Sequence, residues 1–150
     1  MRGETWTRER FDDELARRVG PQAVSRAHQI LEWAGRRQLR VWWGQGVQRG
    51  GFVPVYDAPD GTGHQLFEVW TDGKLEVLFQ HLATKGPFAD ATKRRELRDR
   101  LNAAAGISIP VDAIGRRPTF SLLALADADA TDRVLAVFDW VLEEIRQGQF

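Results

Sequence analysis

Two short runs of aliphatic, β-branched and aromatic residues flank Asp72-Gly73 in the stretch His64–Gln80, and no other part of the sequence restricts the fold as tightly. Apolar and polar residues alternating on either side of Asp-Gly, a dipeptide that tolerates positive φ, form the strongest short-range signal for a β-hairpin. A two-residue turn pairs Trp70 with Leu75, Val69 with Glu76, Glu68 with Val77, Phe67 with Leu78 and Leu66 with Phe79. Side chains alternate across a sheet. That register therefore sorts Leu66, Glu68, Trp70, Leu75, Val77 and Phe79 onto one face, the expected core, and Phe67, Val69, Thr71, Lys74, Glu76 and Leu78 onto the other. One carboxylate, Glu68, is left among apolar neighbours.

The rest of the chain supplies partners for this hairpin. Thr7 suits the N-cap of a helix from about 8 to 19, with Trp6 and Phe11 spaced as a hydrophobic staple and Phe11, Leu15 and Val19 as its inner stripe. Gly20-Pro21 closes it and opens a second helix with Val24, Ala27, Ile30, Leu31, Trp33 and Ala34 inward, ending at Gly35. Leu39–Trp43 and Phe52–Tyr56 read as strands joined by a glycine-rich loop, and Pro54 implies an edge or a bulge. Asp90 caps a helix from about 91 to 105, Ile107–Ile109 suits a short strand, and Phe120–Ala126 is too short for periodicity to assign. Asp129 or Thr131 caps a final helix whose stripe is Val134, Phe138, Val141 and Ile145. The expectation is a single α+β domain over residues 1–150. It has two N-terminal helices, a four-stranded, mainly antiparallel meander centred on the hairpin 64–80, and two further helices covering one face.

Composition narrows the chemistry. A chain of 150 residues buries roughly 70% of its unfolded surface and folds without covalent staples. The lack of cysteine excludes disulfides, thiolate metal sites and a thiol nucleophile, and points to a cytoplasmic protein. No apolar run is long enough to span a membrane or to form a signal core at the amino terminus. Zero formal charge argues against nucleic-acid binding by bulk charge alone, although residues 1–50 hold ten Arg against six acids.

Three constellations bear on function. Pro59-Asp60 and Asp72-Gly73-Lys74 satisfy the spacing of the PD-(D/E)XK nucleases, in which two carboxylates hold Mg²⁺ and a lysine orients the attacking water. Asp60, Glu68, Asp72 and Lys74 are the catalytic candidates on that reading, which competes with Asp72-Gly73 as a turn; Mg²⁺ is expected only there, and otherwise no cofactor. Glu68 alone suits a general acid with a raised pKa, against the alternatives of an arginine partner, an edge position or a bulge that turns it outward. Trp42, Trp43, Phe52, Tyr56, Phe67 and Trp70 fall on the expected sheet, as core filler or as a stacking platform. Adjacent Trp42 and Trp43 point to opposite faces, so one of them at most belongs to a single-sided core.

The leading expectation is a non-enzymatic recognition module for nucleic acid. Trp43 and Tyr56 stack bases, and Arg40, Arg49, Arg95 and Arg100 contact phosphate. A protein partner or a second copy of the chain is the alternative. His28, His64 and His81 lack zinc-site spacing, so no metal centre is expected.

The strands Leu66–Trp70 and Leu75–Phe79, the Arg-rich helix Lys93–Arg100, the Arg116-Arg117-Pro118 turn and the final helix around Asp139-Trp140 together resemble an uncharacterised α+β domain found beside nuclease and restriction modules in bacteria. The resemblance implies a setting of nucleic acid or phage defence and implies no catalytic residue.

Overall fold

A computed structural model of the chain describes residues 5–46, 49–125 and 127–148. Its elements are α1 (Arg8–Arg18), α2 (Pro21–Arg36), β1 (Arg40–Trp43), β2 (Gly51–Asp57), β3 (Gly63–Gln65), β4 (Phe67–Trp70), β5 (Lys74–Val77), α3 (Phe79–Leu82), α4 (Ala91–Ala104), β6 (Thr119–Ser121) and α5 (Ala128–Gln147). The architecture is α+β. The Thr7 hydroxyl caps α1 by accepting the Arg10 N–H at 3.2 Å, and Asp90 caps α4 by accepting the Thr92 N–H at 2.9 Å. The glycine-rich loop between β1 and β2 falls partly outside the described residues.

The sheet is antiparallel in the order β1-β2-β4-β5-β6, with β3 also paired to β2, so the described residues form six strands where four were expected. One addition is β6, drawn from the start of the unassigned apolar region. The other comes from a break in the expected strand at Leu66. Register on β2 steps from Val55↔Gln65 to Phe52↔Val69, which leaves one extra residue on the β3–β4 side, a β-bulge. Pro54 lies opposite it, with no N–H to offer a continuous ladder, and its carbonyl accepts the Leu66 N–H at 3.3 Å.

The β4–β5 hairpin has a different register from the expected one. Phe67 pairs with Val77, Glu68 with Glu76 and Val69 with Leu75, one residue away from a two-residue turn. Thr71, Asp72 and Gly73 form a three-residue loop in which the Gly73 N–H donates to Trp70 O at 2.9 Å and Gly73 takes φ +83°. This is the three-residue alternative in which glycine occupies the left-handed position. The shift places Phe67, Val69, Leu75 and Val77 together in the core, each fully buried, and moves Glu68 to the opposite face with Glu76.

Helix α2 continues through Gly35, and the left-handed residue after it is Gln38, at φ 58°. Ile107–Ile109 is not a strand; the Asn102 amide brackets Ile109, accepting its N–H at 2.9 Å and donating to its carbonyl at 3.1 Å. Asp127, rather than Asp129 or Thr131, caps α5, accepting the Ala130 N–H at 2.8 Å.

Helices α1, α2 and α5 cover one face of the sheet, where Phe11 meets Phe52 at 5.2 Å and Phe67 meets Phe138 at 4.6 Å between ring centroids. Helix α4 packs on α5 through buried Leu97 and Leu101, while Phe88, from the loop before α4, meets Trp140 edge-on. No helix among the described residues is long and apolar enough to cross a membrane. Among the described residues, α1, α2 and α5 leave the second face of the sheet to its own side chains.

Candidate recognition surface on the open sheet face

Strand alternation sends Arg40, Trp42, Val53, Val55, Glu68, Trp70 and Glu76 to the face away from α1, α2 and α5. Arg40, Trp42, Val53, Gln65, Glu68 and Arg117 line an open groove of about 280 Å³ there. Val53, Val55 and Leu78 form a small apolar cluster of their own. Above it Trp42 is 47% exposed, the one large aromatic side chain among the described residues left so open to solvent.

Glu68 is only 5% exposed and stands directly across from Glu76, an arrangement that like charges make unfavourable. Arg117 relieves it, with Nη2 at 3.1 Å from Glu76 and 3.6 Å from Glu68. The β5–β6 pairing Glu76↔Thr119 positions this arginine, because residue 117 lies two places before Thr119 on the same face. Burial first, and the charge of Glu76 second, push the Glu68 carboxyl up to about 7, against the opposing pull of Arg117 and Arg49. Gly51 makes room for this carboxylate: a Cβ there would lie 2.6 Å from Glu68 Oε2 and 3.0 Å from the Trp70 ring. Trp70 is roofed by the Arg49 guanidinium at 3.8 Å from its ring, and Arg49 also reaches Asp72 at 2.8 Å.

The residues singled out from the sequence divide among several places. Arg40 is on the open face, held by two hydrogen bonds to Asp57 at 2.8 and 3.0 Å. Arg49 and the exposed Lys74 border the same face at its hairpin end. Trp43 is partly buried on the helical side, packed on Phe11 and Phe52, and its neighbour Trp42 takes the exposed position. Tyr56 also faces the helical side, where the Arg146 guanidinium lies 5.4 Å from its ring. Arg95 and Arg100 belong to α4, with Arg100 paired to Glu96 and stacked on Trp140. Asp60 and Asp72 sit in turns at opposite ends of the β3–β4 stretch, separated by roughly 25 Å of extended chain, with Glu68 between them. The structure does not bring these acids together.

Sequence reasoning held Trp42 and Trp70 among the sheet aromatics and Arg117 as an extension of the α4 arginines, but chose Trp43 and Tyr56 for stacking and did not join Arg117 to Glu68 and Glu76. The alternation that forces Trp42 and Trp43 apart held the signal for Trp42; nothing local placed Arg117 over the two glutamates.

No protein-family model, curated protein or solved structure matches the chain.

Proposed function

We propose that the protein is a recognition module that binds single-stranded nucleic acid on the open face of its sheet. The observation that carries this reading is the half-exposed Trp42 ring beside a groove lined by Val53, Val55 and Glu68 and bordered by Arg40 and Arg117. Stacking of a base on such a ring is worth roughly 1–3 kcal/mol and tolerates any sequence. Glu68 and Glu76 supply acceptors for exocyclic amino groups of a stacked base, while Arg40, Arg49 and Arg117 supply cations for the flanking phosphates. Each arginine already holds a carboxylate, so phosphate contacts exchange one anion for another and the charge contribution is modest. Affinity in the micromolar range, falling with salt, is the expected behaviour.

A gel-shift assay with labelled single-stranded and duplex DNA and RNA, at low and high salt and with Mg²⁺, Mn²⁺ or EDTA, tests this. A salt-sensitive shift of single strands without cleavage supports the module. Cleavage abolished by EDTA replaces it with the metal-dependent nuclease reading. No shift at any salt, together with self-association or capture of a fixed protein partner, replaces it with a protein-interaction domain.

A further inference from the structure

On the helical side of the sheet, at the end of β2 and β3, lies a larger cavity of about 600 Å³, bordered by Tyr56, Asp60, Thr62, His64, Lys85 and Arg146. Its position is independent of the open-face groove, because Tyr56 and His64 are cross-strand partners pointing away from that face. Half of the cations among the described residues are neutralised: ten Lys and Arg side chains, Arg37, Arg40, Arg49 and Arg117 among them, have a carboxylate within 4 Å. Among the described residues, neither Lys85 nor Arg146 does. Lys85 is held by the Gly63 carbonyl and lies 3.2 Å from His81 Nε2, which leaves part of its three-donor capacity for a ligand. The Arg146 guanidinium lies 5.4 Å from the Tyr56 ring, and among the described residues no carboxylate takes up its fork of N–H donors.

Two further groups support an anionic occupant. His64 is 4% exposed, and its Nε2 is buried with no hydrogen-bond partner, a cost that a bound acceptor or donor would remove. Asp60, the one acid on the wall, is already engaged through Oδ1 with the Thr62 N–H at 2.8 Å, and a single carboxylate faces two unpaired cations. The tilted Tyr56 and His64 rings, 6.0 Å apart, add a flat aromatic wall. The volume is that of a site for a small molecule rather than for a single water or ion.

We infer that this cavity binds a small organic phosphate, a phosphomonoester carrying a flat ring, with the phosphate between Lys85 and Arg146 and the ring against Tyr56. The class is that of a nucleoside monophosphate. The site differs from the proposed strand-binding face in residues and in the side of the sheet it occupies, so either can fail alone.

The test is a titration of the whole chain with adenosine monophosphate, and separately with inorganic phosphate, followed by ¹H–¹⁵N chemical-shift changes and isothermal calorimetry. Saturable binding of the monophosphate is expected, with shifts concentrated at Gly63, His64, Lys85 and Gly86 and with inorganic phosphate at least tenfold weaker. Lys85→Met and Arg146→Ala should each weaken binding by tenfold or more. The same calorimetry on Trp42→Ala should give an unchanged affinity. Circular dichroism guards against unfolding, and Arg146→Lys, which keeps the charge, should recover part of the affinity. Three results overturn the inference: no saturable binding up to millimolar ligand, affinity unchanged in both cavity variants, or affinity lost equally in Trp42→Ala.

Discussion

Glu68→Gln should make the protein more stable at alkaline pH, although it removes a charged partner of Arg117. The carboxyl rises from 4.5 to about 7 on folding. Between those values the folded chain holds a proton that the unfolded chain has released, so stability falls as pH rises through the window and is lowest above pH 7. The difference amounts to about 3 kcal/mol for this one group. Gln has nearly the shape of the protonated acid and does not titrate, while Arg117 keeps Glu76 at 3.1 Å. Urea unfolding followed by tryptophan fluorescence, at closely spaced pH, should therefore show wild type and variant together near pH 4. The curves should part between about pH 4.5 and 7, with the variant ahead by about 3 kcal/mol at pH 8. Titrating groups that do not interact with Glu68 are common to both proteins and cancel in the difference. A variant that parallels wild type at every pH, or is less stable at pH 8, would refute the assignment of Glu68 as a carboxylate ionised at a cost.

Asp139 accepts hydrogen bonds from the buried Trp33 indole at 2.9 Å and from Arg37 at 2.7 and 3.0 Å, tying α5 to α2. Its replacement by alanine should cost about 2 kcal/mol in denaturant unfolding at pH 7. Burial pushes this carboxyl up, but the hydrogen bonds from Arg37 and Trp33 outweigh it and hold it below its ordinary 3.8, so the difference from wild type should shrink as pH falls below that value. Gly73→Ala should cost about 1–2 kcal/mol from the left-handed backbone alone, and more because a Cβ there meets Val19 at 2.9 Å. Gln38→Gly, at φ 58°, should instead raise the thermal midpoint by relieving about 1 kcal/mol of the same strain.

The helices were legible because their ends are written in local chemistry: Thr7, Pro21 and Asp90 act where their side chains and rings predict. Gly35 marked the end of α2 to within one residue: the helix carries it and stops at Arg36, because a glycine within a helix costs only about 1 kcal/mol. The hairpin was legible as an element but not in register. Asp-Gly serves both a two-residue turn and a three-residue loop with glycine last, and the two differ by one residue of slip. The face pattern held the deciding signal: only the longer loop gathers Phe67, Val69, Leu75 and Val77 inward and both glutamates outward. Arg117 had no local signature, because its place over Glu68 and Glu76 depends on β6 joining the sheet from forty residues away in the chain.

The most direct measurement of the central claim is fluorescence anisotropy of a labelled single-stranded oligonucleotide titrated with wild type and with Trp42→Ala at two salt concentrations. Trp42 is half exposed and stands across from Val53, so its loss should cost about 1 kcal/mol of cross-strand contact and leave the fold intact, which circular dichroism checks. Wild type should bind with salt-sensitive affinity, and Trp42→Ala at least fivefold more weakly, the loss of one stacked base. Equal affinity of the two proteins, or no binding by either, would contradict the claim.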